Sequence, residues 1–174
     1  PNMSVARNVG FMPQNDAVYT DISGYDNILF FGRLFGLRGK ELREKADAAL
    51  ALVDLPADKH RLVAEYSGGM RKRLSLAIAL IHGPGILLLD EPTVGIDPVL
   101  RKAVWDEFER LRKQGVTIIV STHVMDEAEK CQKAGLIYEG ELIACGEVEA
   151  LVERTQSKRI EELFFTAGKA GESE

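Results

Sequence analysis

The stretch from Tyr66 to Asp97 constrains the fold more than any other part of the chain. Ser67 is an N-cap type of residue, and Gly68 and Gly69 follow it with no side chain to shield the backbone. Leu74, Ala77, Ile78 and Ile81 then recur at helical spacing, which predicts an amphipathic helix beginning at Ser67-Gly68-Gly69. A helix start with bare N–H groups and a positive dipole end suits an anion, and phosphate is the expected one. Arg71, Lys72 and Arg73 occupy the first turns, where the dipole favours acids; beside a nucleotide their placement makes sense. Next, Gly83-Pro84-Gly85 bounds the apolar run Ile86-Leu87-Leu88-Leu89, whose lack of period-two alternation predicts a buried parallel strand. Asp90 and Glu91 follow at its C-terminal end, on the edge where open α/β sheets place their ligands. Successive strand residues point to opposite faces, so the two carboxylates divide the work. One is suited to hold a magnesium ion, directly or through water, and the other to polarise an attacking water. Two acids at a strand end are, by themselves, more often a solvated surface. The glycine turn before them and Asp97-Pro98 after them favour phosphate chemistry.

In combination these strings closely resemble the ATP-binding cassette (ABC) family of ATPases. Ser67-Gly68-Gly69 matches the family's signature motif, Ile86 to Glu91 its Walker B strand, and Val94-Gly95-Ile96-Asp97 its D-loop. Tyr66 stands where the family usually has Leu and Met70 where it has Gln. That variant is similar to the drug-export and polysaccharide-export branch, whose ATPases serve separate membrane subunits. The resemblance extends over essentially the whole chain. It implies that Gln14, after the short strand Val9 to Met12, is the Q-loop residue reaching toward magnesium and the γ-phosphate. It implies that His123, after the β-branched strand Val116 to Val120, is the H-loop residue that hydrogen-bonds the γ-phosphate. A lone Gln or His in such a place is otherwise more often structural.

The same resemblance implies ATP and Mg2+ as cofactors. Asp90 and Gln14 would serve the metal, and Glu91 and His123 the catalysis. Gln14, Ser67, Gly68, Gly69 and Asp97 would contact or couple to nucleotide. The implied partners are a second cassette, packed head to tail so that its Ser67-Gly68-Gly69 completes the site, and an integral membrane permease; no nucleic acid is expected. The G-x-x-x-x-G-K-[ST] loop that should precede the Q-loop occurs nowhere in the sequence, and Gly39-Lys40 fails because Glu41 takes the Ser/Thr place. The expected fold is therefore α/β, an incomplete P-loop NTPase-type three-layer fold with a mostly parallel sheet and an α-helical subdomain. The expected function is the ATP-hydrolysing subunit of a membrane exporter, inactive as this chain alone. A soluble ABC ATPase of another kind, and a non-catalytic truncated or degenerate cassette acting as a binding module, are the competing readings.

Residues 1–165 are expected to form the partial cassette. Within it 15–66 are the helical subdomain, and 67–145 carry the signature helix, Walker B, D-loop and H-loop. Thr20 or Asp21 should cap a first helix running to about Gly36, and a second should run from about Glu41 to Val53. A helix from Pro98 to Gln114, a hairpin centred on Glu139-Gly140-Glu141 and a short helix up to Glu153 should follow. Residues 166–174 read as a polar, disordered tail. A chain of 174 residues with 45% hydrophobic content suits one soluble unit with a real core. Its net charge of −5 argues against a binder of polyanionic nucleic acid. Cys131 and Cys145 give neither a disulfide framework nor a metal spacing. No apolar run approaches the roughly 20 residues of a membrane span, so work at a membrane would be peripheral, on the cytoplasmic face.

Overall fold

The computed structural model describes Val5, residues 7–15 and residues 17–165. The tail expected over 166–174 lies outside the described residues. Two compact units divide the chain at Ser121 and Thr122.

The first unit is built on a parallel sheet of three strands, β1 (Val9–Met12), β2 (Ile86–Asp90) and β3 (Thr117–Ser121), with β2 in the middle. Residues in register share a face, so Gly10, Leu87 and Ile118 look one way, with Met12, Leu89 and Val120. That face is the core side: Met12, Leu87 and Leu89 are buried. The opposite face carries the row Phe11, Leu88 and Ile119, and there Phe11 is 59% and Ile119 57% exposed. The expectation of fully buried strands is thus corrected. Among the described residues the apolar runs of β2 and β3 are covered on one face only, and Ile86 and Leu88 are half-buried.

Helix α3 (Gly68–Leu80), labelled after α1 (Gly24–Leu34) and α2 (Gly39–Leu52), lies on the core side. Its close approach depends on Gly10: a Cβ there would sit 2.2 Å from the Ala79 carbonyl oxygen and 2.7 Å from Leu87 Cδ2. Leu74 through Ala79 are all buried, so α3 is a core helix enclosed on most sides and not the amphipathic one its spacing suggested. Helix α4 (Pro98–Lys113) adds Leu100, Val104 and Phe108 to the same core.

Helix α1 starts later than the sequence suggested. Ser23, not Thr20 or Asp21, is its N-cap, accepting from the Asp26 N–H at 3.0 Å. The physical reason lies in Asn27, which is fully buried. Its side chain accepts from the Tyr19 N–H and donates to the Tyr19 and Ser23 carbonyls, tying residues 19–23 back as a loop. Helix α2 buries Leu42, Ala46, Ala49 and Leu50, the face its periodicity marks.

The second unit holds α5 (Met125–Ala128), the antiparallel hairpin β4 (Lys133–Tyr138) and β5 (Glu141–Glu147), and α6 (Val148–Glu153). Glu139 and Gly140 both have positive φ, 48° and 84°, which suits the tight hairpin turn. Leu136, Leu151 and Ile160 make its small core. Arg159 clamps α5 from across the unit, donating to the carboxylates of Asp126 and Glu129.

Candidate functional site

Because the three strands are parallel and in register, their C-terminal ends fall on one edge. Gln14 lies two residues beyond β1, Asp90 ends β2 with Glu91 next, and Ser121 ends β3. Asp90 stands opposite Ser121, whose hydroxyl donates to its carboxylate. One oxygen of Asp90 is thereby engaged by Ser121. The Glu91 N–H donates to the Ser121 carbonyl at 3.0 Å, so the chain leaves β2 while still tied to β3.

Glu91 has φ +48°, a left-handed conformation that costs a non-glycine residue on the order of 1–2 kcal/mol. Asp54, Glu139 and Lys158 share this feature, but they stand just after a helix, in a hairpin turn and in a connecting segment after the last helix. Glu91 instead stands at the ligand edge of a parallel sheet, where such strain is associated with function. Its effect is to turn the Glu91 side chain out of the strand's alternation. The chain then turns through a fully buried Thr93 and through Gly95, whose φ of +77° suits glycine.

Ser67 is the N-cap of α3, accepting from the Met70 N–H at 3.2 Å, as its residue type implied. A Cβ on Gly69 would lie 3.3 Å from the Gly95 carbonyl oxygen. The glycine turn and the loop after Glu91 are therefore packed together within one chain. Gly68 has open space around its Cα, and Ser67 and Gly68 are exposed. Asp97 is also exposed, and its carboxylate caps α4 by accepting from the Val99 and Leu100 N–H groups at 3.1 and 3.0 Å. A structural duty is thus visible for Asp97.

His123 belongs to the second unit, two residues past Ser121, and is exposed. Its turn is set by Thr122, whose hydroxyl donates to Glu127 at 2.9 Å and accepts from the Val124 N–H. Gln14 is exposed as well. Among the described residues there is no cluster of three His, Cys, Asp or Glu side chains able to hold a metal ion. The donors present, the Asp90 carboxylate and the Gln14 amide on the same sheet edge, suit an ion of the magnesium type. Such an ion keeps waters and phosphate oxygens in its shell and needs only one or two protein ligands.

Three features escaped the sequence reading. Arg71 and Arg73 do not extend the anion site. Arg71 donates to the Val63 and Ala64 carbonyls, and Arg73 to the Val53 and Asp54 carbonyls at the end of α2. They satisfy backbone acceptors and hold α3 to the helical segment, which corrects the nucleotide reading of these two arginines. Tyr66 is buried against Gly24, where a Cβ would meet its hydroxyl at 2.3 Å, and donates to the Asp58 carbonyl at 2.8 Å. Burial pushes the Tyr66 hydroxyl above its ordinary pKa. Only the pairing of a small residue with a large one could have signalled this contact, and no local pattern links positions 24 and 66.

Comparison with known proteins agrees with this arrangement. The family model described as "ABC transporter" matches residues 2–94. The chain is 41% identical, over 148 residues, to the Nod factor export ATP-binding protein I of Burkholderia thailandensis, covering 84% of this chain and 49% of that protein. The chain spans between 16% and 52% of the length of the curated relatives it matches. Among solved structures, an ATP-binding subunit of an ABC transporter superposes with a TM-score of 0.83 at 21% identity, over 94% of this chain and 70% of that one. A dimeric ATP-binding cassette in a post-hydrolysis state with ADP and Pi gives 0.74 at 22% identity, over 85% and 68%. These two likenesses bear on the fold.

Proposed function

The chain belongs to the ABC transporter family, and from that membership we propose that it is the ATP-hydrolysing part of a membrane exporter. The observation that carries the reading is the single sheet edge holding Asp90, fixed by Ser121, and Glu91, turned out by its left-handed backbone. Export is favoured by the 41% identity to a Nod factor export ATP-binding protein. No helix among the described residues is long and apolar enough to cross a membrane.

In this reading Asp90 and Gln14 would hold the ion, and Ser121 keeps the Asp90 carboxylate oriented by donating to it. Bound Mg2+ would neutralise charge on the phosphate oxygens of ATP. Glu91 accepts a proton from the attacking water, its role as base made possible by leaving the strand's alternation. His123 donates to the transferred phosphate group. Ser67, Gly68 and Gly69 present a capped helix start to the γ-phosphate of a second cassette. Gly95, packed next to that turn, and Asp97, two residues on, couple one site to the other across the dimer. The 174 residues contain no G-x-x-x-x-G-K-[ST] string. The grip on the β and γ phosphates therefore rests on residues outside them, and this chain alone should turn over MgATP at background.

The test is Glu91→Gln in a cassette joining these residues to a phosphate loop. ATP should still bind while hydrolysis falls on the order of 10²–10⁴-fold. Equal loss of nucleotide binding in Glu91→Gln and Asp90→Asn would refute the division of labour. Steady hydrolysis by the 174-residue chain, abolished by Glu91→Gln, would refute its predicted inactivity.

A further inference from the structure

The elbow between α1 and α2 holds a cavity of about 210 Å³ lined by Leu29, Arg33, Arg38, Gly39, Leu42 and Arg43. None of these residues belongs to the candidate nucleotide site. We propose that this cavity binds a phosphate group, carried by a lipid headgroup or by a soluble phosphate ester.

Three exposed arginines, Arg33, Arg38 and Arg43, line one hollow, and among the described residues none of them makes an ion pair or a side-chain hydrogen bond. The acids nearby are already engaged: Glu41 pairs with Lys45 at 2.9 Å and Glu44 with Lys40 at 3.5 Å. Arg38 stands at the N-cap of α2 and makes no capping bond, so that helix start also lacks a side-chain acceptor. From Arg33 to Lys45 the chain carries five basic and two acidic residues, in a protein whose net charge is −5. Three like charges around a hollow repel one another, and an anion at the centre would relieve that repulsion.

Guanidinium forks match phosphate oxygens two at a time, which favours phosphate over a monovalent ion. The cavity is smaller than the roughly 300–1,000 Å³ of sites for drug-sized ligands, so it suits a headgroup or a small ester better than a whole nucleotide. Leu42 is buried and gives the cavity an apolar wall. Beside Arg33 on α1, Phe30 is 43% and Leu34 56% exposed. Exposed apolar residues next to free arginines are what an anionic phospholipid surface would engage.

The experiment uses the 174-residue chain. Binding to vesicles of phosphatidylcholine containing phosphatidylglycerol is compared with binding to pure phosphatidylcholine, and pyrophosphate binding is measured separately by calorimetry. Binding in either arm that is lost in Arg33→Gln/Arg38→Gln/Arg43→Gln supports the site, and the arm that responds identifies the source. The expected loss is about fivefold per arginine and about a hundredfold for the three. A control, Lys102→Gln/Arg110→Gln/Lys113→Gln on α4, removes the same charge and should leave binding within about threefold of the parent. Should the triple variant misfold, each single variant reads its own fivefold step. Equal losses in the control, or no binding to either phosphatidylglycerol vesicles or pyrophosphate, would overturn the proposal.

Discussion

Replacing Gly10 by Ala adds one methyl group, and the structure fixes where that methyl goes. Its carbon would lie 2.2 Å from the Ala79 carbonyl oxygen, 2.7 Å from Leu87 Cδ2 and 2.9 Å from Pro84 Cγ. Ordinary contact begins near 3.5 Å, so strand β1 and helix α3 must separate by roughly 1 Å or more. The leucine tip could rotate away, but a helix carbonyl cannot. Two effects oppose each other. Glycine inside a strand is worse than alanine by roughly 0.5–1 kcal/mol, so in open space the change would stabilise. Overpacking a close-packed core costs typically 1–3 kcal/mol, and contact with backbone puts this site at the upper end. The net expectation is a loss of about 2 kcal/mol. With a urea slope of about 1–3 kcal/mol/M, the midpoint should fall by about 1 M at unchanged slope. Phe11→Ala, one residue on but facing the exposed side, should cost less than about 1 kcal/mol in the same assay. A Gly10→Ala variant as stable as the parent, or more stable, would refute the reading of how α3 meets the sheet.

Two further outcomes follow from His82, at the opposite end of β1 from the site, and from Asp97. His82 stacks on Phe35 with ring centres 3.8 Å apart, its Nε2 lies 3.2 Å from the Val9 carbonyl oxygen, and its Nδ1 is buried without a partner. Burial pushes its pKa below the ordinary 6.5, the Val9 carbonyl opposing this and Lys45 adding to it. The unfolded chain therefore takes up the proton first: stability should be full above the ordinary value and fall as pH drops through it toward the folded value. Urea midpoints between about pH 8 and 5 should show that decline, and His82→Leu should flatten it. For Asp97, Ala should cost about 1 kcal/mol and Asn little, because the amide oxygen still caps α4; equal losses by urea melting would show that the charge, not the cap, carries the stability.

What was legible in the sequence is what a short string can encode. Ser67 caps α3 because a hydroxyl three residues before the Met70 N–H meets it whatever the surroundings. Asp90 and Glu91 fall at a strand end because the apolar run and the glycines bounding it already locate that strand. Legibility stopped where the deciding contact joins distant residues. The His82 and Val9 contact spans 73 positions, and the Asp90 and Ser121 bond 31. The start of α1 was misplaced because Asn27, eight residues beyond Tyr19, competes for the backbone that Thr20 or Asp21 would have put into a helix.

The basic run after the glycine turn shows the same limit from the side of charge. Arg71 and Arg73 looked like anion ligands only while their reach was unknown. Once each guanidinium is traced to carbonyls of another segment, the positive potential left at the start of α3 comes from Lys72 and from the backbone N–H groups that Ser67 does not satisfy. An approaching phosphate would then be held by geometry more than by net charge, and geometry is what the Gly69 contact with the Gly95 carbonyl protects. A side chain at Gly69 would have to push aside the loop that follows Glu91. The glycine turn and the loop after Glu91, which the proposed function gives to phosphate and to the attacking water, thus meet at one close packing contact.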